Sequence, residues 1–302
     1  MDNTSQEFGL FIDSIRSSRN MSREDFVDGI ISTRQFQRYL KGESSITNDK
    51  IFQLIDRLEM NILNVYKLFI NRQNTEYNYI SNLYNLIVLF NYKDAFAIIN
   101  KTDVDSFSSK YNKSFFIYCK ITTLYNLKII SKDMAMNQYK NLINYPKCLE
   151  YSNINFIELI TLISLSSYQL NYKNDKNIAY FLYRVLKQEN LEADVEISRK
   201  LPSLIGTTCQ TLGMLENNDK VIKLAQHGID ICLKSQVTNS LPNLFYYKSL
   251  SLLNMGEREK ALIEVKKTFM LLEIQNNTEK IAIFDSLLKK HFNISKVELM
   301  KY

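Results

Sequence analysis

The sequence predicts an all-α protein, and three observations carry the prediction. Glycine and proline are scarce, seven and three in 302 residues, so the chain has few of the residues that end strands and build tight hairpins. Its apolar residues recur at i, i+3, i+4 and i+7, the spacing that gathers them on one side of a helix. From residue 78 onward the pattern itself repeats every 40–43 residues, as stacked helical units do. The 19 Tyr and 17 Phe, with no Trp, make the expected core aromatic and aliphatic.

The elements follow in order. Residues 1–5 carry no apolar stripe and are expected to be disordered. A first helix runs from about Gln6 to Arg19, with Phe8, Phe11, Ile12 and Ile15 on one face. Ser22 can cap a second helix with apolar positions Phe26, Val27 and Ile30, and Gly29 supplies positive φ near its end. Ser32 offers its hydroxyl to the free N–H groups of a third helix, in which Phe36, Tyr39 and Leu40 form the buried stripe. Thr33, Arg34, Gln35, Gln37 and Arg38 then point away from that stripe. Arg can bridge guanine O6 and N7, and Gln can bridge adenine N6 and N7, so this face carries base-reading chemistry. Gly42 ends the helix, with Lys41 placed for a phosphate.

The run Gly-Ile-Ile-Ser-Thr-Arg-Gln-Phe-Gln-Arg-Tyr-Leu-Lys-Gly, from Gly29 to Gly42, resembles the helix-turn-helix of the Xre/lambda-repressor-like family. The resemblance spans about residues 6–70 and implies a five-helix DNA-binding domain over 1–70. It places the family's helix-2 contact on Arg23 and its recognition-helix contacts on Thr33, Arg34, Gln37 and Arg38. Two positions depart from the pattern: Val27 stands where a small residue is usual, and Leu40 where an acid is usual. Both alter core packing more than groove contacts.

Charge adds a constraint. The chain carries a net +6, but residues 1–72 hold ten Lys/Arg and ten Asp/Glu, so the DNA-binding argument rests on placement. Residues 32–42 contain Arg34, Arg38 and Lys41 and no acid, whereas Glu24, Asp25 and Asp28 sit on the second helix. So small a basic surface predicts weak binding by a monomer and a need for dimerisation.

Thr47 or Asn48 can cap a fourth helix with Ile51, Leu54, Ile55 and Leu58 inward. Asn61 begins a fifth, carrying Leu63, Tyr66 and Phe69 or Ile70. Residues 71–77, NRQNTEY, are polar and read as a linker to a second domain over 78–302. There the starts of alternate helices read NYKDAF, SKDMAM, NDKNIA, NDKVIK and REKALI. Their marker residues, Ala95, Ala135, Ile178, Val221 and Ala261, are 40, 43, 43 and 40 apart. Four residues on stand Ile99, Tyr139, Leu182, Ala225 and Val265. Leu201-Pro202 and Leu241-Pro242 repeat 40 apart, with proline at the first turn of a helix. Each unit is therefore a helical hairpin. The last, LFYYKSLSLLNMGEREKALIEV, resembles a tetratricopeptide repeat, with Gly256 at the turn and Ala261 at the close helix contact. A helix near Thr278–Lys290 and a last turn near Ser295–Tyr302 close the array.

Stacked hairpins make a solenoid with a concave face lined by the first helix of each hairpin. Those helices carry Asn82 and Asn85, Lys120 and Asn126, Tyr168, Thr208 and Gln210, and Asn243 and Tyr247. Of these, Asn85, Lys120, Asn126, Gln210, Asn243 and Tyr247 are the expected peptide-binding residues. An amide pairs with both polar groups of a peptide backbone, and Lys takes a carboxylate. A chain this rich in Asn would also place amides there with no ligand in view. The whole layout is similar to that of the Rgg, PlcR and PrgX regulators. The resemblance implies a cytoplasmic homodimer joined through its repeats, a pseudo-palindromic DNA operator, and a short signalling peptide that resets the two reading heads.

Other chemistries have little material. His227 and His291 stand 64 residues apart, with no neighbouring Cys or His for a metal or a nucleophile. No two glycines lie within six residues, so there is no phosphate-cradling loop. Carboxylate pairs such as Glu24 and Asp25, or Glu257 and Glu259, sit on polar faces. Cys119, Cys148, Cys209 and Cys232 are widely spaced and read as reduced core thiols. No apolar run reaches 18 residues. The expectation is a non-enzyme without cofactor, metal or membrane. The alternatives are a repeat protein that binds another protein, or a phage-type repressor with no ligand.

Overall fold

A computed structural model describes residues 3–73, 75–107, 109–169, 176–188, 191 and 195–302; side chains are described for fewer, not for 3–4, 71–73, 168–169 or 195–196. Every regular element among them is helical. The chain forms two compact units, Met1–Leu89 and Phe90–Tyr302.

The first unit contains α1 (Asn3–Ser18), α2 (Arg23–Val27), α3 (Thr33–Leu40), α4 (Asn48–Arg57), α5 (Ile62–Gln73) and α6 (Thr75–Val88). Its core joins Phe8 and Ile12 of α1 to Phe26, Val27, Phe36, Tyr39, Ile51, Leu54, Ile55, Val65 and Phe69. Three expectations change here. Helix begins at Asn3, inside the segment expected to be disordered, while Met1 and Asp2 lie outside the described residues. The Gln6 amide anchors this end by donating to the Leu40 carbonyl at 3.1 Å. On α5 the inward residues are Val65 and Phe69, with Ile62 and Tyr66 beside them, and Leu63 is 74% exposed. The Phe8 ring stacks on Tyr66 at 4.4 Å and meets Phe69 edge-on at 4.9 Å, which fixes the face α5 presents. The expected linker is helical on both sides of Asn74, which lies outside the described residues, and the compact units part between Leu89 and Phe90.

The second unit contains α7 (Tyr92–Ile99), α8 (Lys110–Asn126), α9 (Lys132–Leu142), α10 (Phe156–Gln169), α11 (Lys176–Val185), α12 (Val195–Ser198), α13 (Leu201–Met214), α14 (Asn218–Ser235), α15 (Leu241–Asn254), α16 (Arg258–Ile274), α17 (Thr278–Phe292) and α18 (Lys296–Leu299). Consecutive helices pack as hairpins: α8 on α9, α10 on α11, α13 on α14 and α15 on α16. First helices also touch the next first helix, α8 on α10, α10 on α13 and α13 on α15, which makes the hairpins a stack. All five marker residues, Ala95, Ala135, Ile178, Val221 and Ala261, are 0–1% exposed, and all five residues four positions on are buried. From Ala135 onward the sequence repeat is therefore the line along which each second helix meets its partner. Pro202 and Pro242 occupy the first turns of α13 and α15, as expected.

Polar groups stitch the stack. The Tyr118 and Ser164 hydroxyls join α8 to α10 at 3.1 Å, and Thr122 and Tyr139 join α8 to α9 at 2.6 Å. Lys248 of α15 donates to Gln226 of α14 at 2.8 Å and to Glu264 of α16 at 2.9 Å, and Lys267 meets the other Glu264 oxygen at 3.1 Å. All four cysteines are free and buried, and burial pushes the Cys148 and Cys232 thiols up to about 11.

Candidate nucleic-acid interface

α2 and α3 are short helices, and their ends are defined by the residues the sequence singles out. The Ser22 hydroxyl accepts from the Asp25 N–H at 3.0 Å, and the Ser32 hydroxyl accepts from the Gln35 N–H at 3.1 Å. Gly29 between them has φ +67 and Gly42 after α3 has φ +73, both conformations that strain any residue with a Cβ. Phe26 and Phe36 meet edge to face at 5.4 Å across the turn. On α3, Phe36, Tyr39 and Leu40 are buried, and Tyr39 lies so close under α1 that a Cβ on Gly9 would come within 2.6 Å of its ring.

The opposite face of α3 is open. Ser32, Arg34, Gln37, Arg38 and Lys41 are exposed, while Thr33 and Gln35 are half-buried. Arg38 lies 3.8 Å from Glu43, with both side chains more than half exposed, a contact water readily replaces. Guanidinium and amide groups thus stand on a helix whose back is anchored in the core. Arg23 differs from expectation in being engaged already: its Nη2 donates to Asp13 at 2.6 Å and its Nε at 3.3 Å. Two supporting residues were not anticipated. Asp13 ties α1 to α2, and Arg57 of α4 donates through Nη1 to the carbonyls of Asp25 at 2.8 Å and Asp28 at 2.6 Å. Neither carries a local signal, because each acts across ten or more residues.

Of the expected peptide-binding residues, Asn85 lies exposed on α6 of the first unit. In the second unit Lys120 and Asn126 are exposed on α8 and Gln210 on α13, and Asn243 and Tyr247 are half-buried on α15. The Asn126 amide donates to the Thr122 carbonyl of its own helix at 2.8 Å. Gln210 belongs to the stripe Ser203, Thr207, Gln210 and Met214, and Asn243 and Tyr247 to the stripe Asn243, Tyr247, Leu250 and Asn254. These stripes are equivalent at the 40-residue repeat, so α13 and α15 present the same side to solvent. Burial pushes the Tyr247 phenol up to about 12. Thr208 is buried and donates to the Leu204 carbonyl at 3.0 Å, which removes it from any open face. The Tyr168 side chain lies outside the described residues.

Among the described residues, no group of three or more His, Cys, Asp or Glu could hold a metal, and no helix is long and apolar enough to cross a membrane.

No protein-family model and no curated protein sequence matches the chain. Solved structures do. PlcR of Bacillus thuringiensis, in complex with the peptide PapR7 and DNA, superposes with a TM-score of 0.68 at 16% identity, covering 91% of this chain and 98% of that one. The chain has that fold. Rgg2, the SHP pheromone receptor of Streptococcus dysgalactiae, has a TM-score of 0.64 at 13% identity over 95% of this chain and 98% of its own. ComR of S. thermophilus, in complex with DNA and its signalling peptide ComS, has a TM-score of 0.62 at 17% identity over 90% and 95%. The architecture is thus a five-helix helix-turn-helix domain followed by repeat-type helical hairpins.

Proposed function

We propose that the protein is a peptide-responsive transcriptional regulator of the kind exemplified by PlcR, Rgg2 and ComR, acting in the cytoplasm. α3 enters the major groove of an operator, Arg34, Gln37 and Arg38 read base edges, and Ser32, Thr33, Gln35 and Lys41 support them on bases and phosphates. Arg23 takes a phosphate from the start of α2. The hairpin stack holds a short peptide against its first helices, with Lys120, Asn126, Gln210, Asn243 and Tyr247 as the contacts. A homodimer reads two half-sites about 34 Å apart or a multiple of that. A peptide that favours one curvature of the stack then shifts the dimer toward or away from that spacing.

The observation that carries this reading is the α3 surface: exposed Arg34, Gln37 and Arg38 back to back with buried Phe36 and Tyr39. It is supported by the fold's likeness to proteins solved with DNA and peptide. Selection from a random duplex library should enrich a two-fold-symmetric sequence for the wild type. Arg34→Ala/Arg38→Ala should keep its circular dichroism spectrum and enrich nothing, each lost base contact costing about 1–3 kcal/mol. Equal enrichment by both proteins would move DNA reading off this face, and a wild type that enriches nothing would leave a protein-binding repeat module.

A further inference from the structure

Asp13 belongs to α1 rather than to the two helices just described. Its side chain is 13% exposed, and it holds Arg23, whose side chain is 40% exposed. Both Nε and Nη2 of Arg23 turn toward the carboxylate, at 3.3 and 2.6 Å, and among the described residues Nη1 has no hydrogen-bond partner. Asp13 is itself fixed, because Nε of Arg16 donates to it at 2.6 Å. Arg16 also donates through Nη1 to the Met21 carbonyl, in the turn that leads into α2. Carboxylate, turn and helix start are therefore one braced cluster.

We propose that Asp13 is the positioning residue for Arg23, aiming its guanidinium at the sugar–phosphate backbone of DNA. The inference rests on the DNA-reading function proposed above and adds a residue that does not itself touch DNA. An arginine at the first position of a five-residue helix is otherwise free to sample many rotamers. Gripping the fork by one edge leaves the Nη1 edge for an anion. Two guanidinium groups share the Asp13 carboxylate and Glu24 stands beside Arg23, so the cluster offers a phosphate a directed N–H edge rather than a surplus of charge. Burial works against the Asp13 charge, but the hydrogen bonds and charges of Arg23 and Arg16 outweigh it and hold the group below its ordinary value. It remains an anion wherever the protein would meet DNA.

The test is a double-mutant cycle on the full chain: wild type, Asp13→Asn, Arg23→Gln and the double variant, titrated by fluorescence anisotropy against the duplex enriched by the wild type. Circular dichroism and urea unfolding establish that each is folded. Arg23→Gln should weaken binding and reduce the log–log salt slope by about 0.9, the loss of one phosphate contact. Asp13→Asn should weaken binding roughly two- to tenfold, the cost of ordering a released arginine on DNA. In the Arg23→Gln background, Asp13→Asn should change nothing. An equal loss in both backgrounds would mean that Asp13 acts through the fold. A gain in both would mean that it acts as a bulk negative charge. Either overturns the proposal. An Arg23→Gln variant that binds like the wild type sinks this inference and leaves the α3 reading standing, whereas a wild type that enriches no duplex sinks both.

Discussion

Asp13 and Arg57 hold the two ends of α2, a helix too short to be stable by itself. Arg57 replaces the missing partners of the last carbonyls of α2, which helix geometry leaves open. Arg57→Ala should cost about 1 kcal/mol of stability, the net worth of an ordinary hydrogen bond because both of its bonds are solvent-exposed, while weakening DNA binding by more than that loss predicts. Urea midpoints and anisotropy titrations measured side by side check the difference; a purely proportional loss would make Arg57 a generic stabiliser. Asp13 gives a pH signature of known sign. Its folded pKa lies below the ordinary 3.8, so its pairing stabilises the fold above that value and the contribution disappears as pH falls through the folded value. The stability difference between wild type and Asp13→Asn should be full at neutral pH and shrink as acid carries the group down through its lowered folded value. A difference that persisted in strong acid would show that the amide introduced by Asp13→Asn merely packs badly.

At the scale of elements, the repeats were legible in their buried line and illegible in their turns. The markers spaced 40 and 43 apart are small or apolar because each second helix presses on its partner there, and burial leaves a sequence trace. The turns leave almost none. Phe90, Lys128, Glu216 and Gly256 all take positive φ where a first helix hands over to a second, yet glycine stands at only one of the four. The strain is accepted elsewhere, so the glycine that usually announces such a turn is missing from the pattern. A reciprocal pair of substitutions follows. Glu216, exposed with φ +57, should tolerate Gly with no loss or a gain of up to about 1 kcal/mol, the relief of strain being partly offset by a more flexible unfolded chain. Gly256, with φ +81 and no atom within 4 Å of where a Cβ would stand, should lose about 1–2 kcal/mol on becoming Glu, through backbone strain alone. Thermal unfolding of both variants decides it, and a destabilised Glu216→Gly would show that its side chain matters more than its backbone. On α5 Tyr66 and Phe69 face inward as expected, and Leu63 faces out against expectation, for a different reason. Leu63 and Val65 are both aliphatic, and the choice between them is made by Phe8, more than fifty residues earlier, which no local period can report.

For the molecule as a whole, the helix-turn-helix was the most legible part, because caps, turn glycines and an amphipathic period coincide between Ser22 and Gly42. The braces behind it were not, since Asp13, Arg23, Asp25 and Arg57 meet only once the chain has folded. Charge placement sets what the assembled protein should do in solution. The first 72 residues balance ten cations against ten acids, and Glu24 and Asp25 stand in the first turn of α2, so on the proposed function any attraction to DNA would have to come from a few groups on α3 and Arg23. One copy then neutralises few phosphates. Two copies on adjacent half-sites double that number and share one loss of rotational freedom, so tight binding should require the dimer. Light scattering should show a mass twice 35.5 kDa at micromolar concentration. Affinity for the enriched duplex should fall about 10³-fold between 50 and 200 mM salt if the dimer makes roughly six phosphate contacts. A DNA with one half-site destroyed should bind with the shallower salt slope of a single reader. A monomer that binds the full duplex, or an affinity flat across that salt range, would place recognition on apolar surface such as Leu63 rather than on Arg34 and Arg38, and with it the operator symmetry would have no cause.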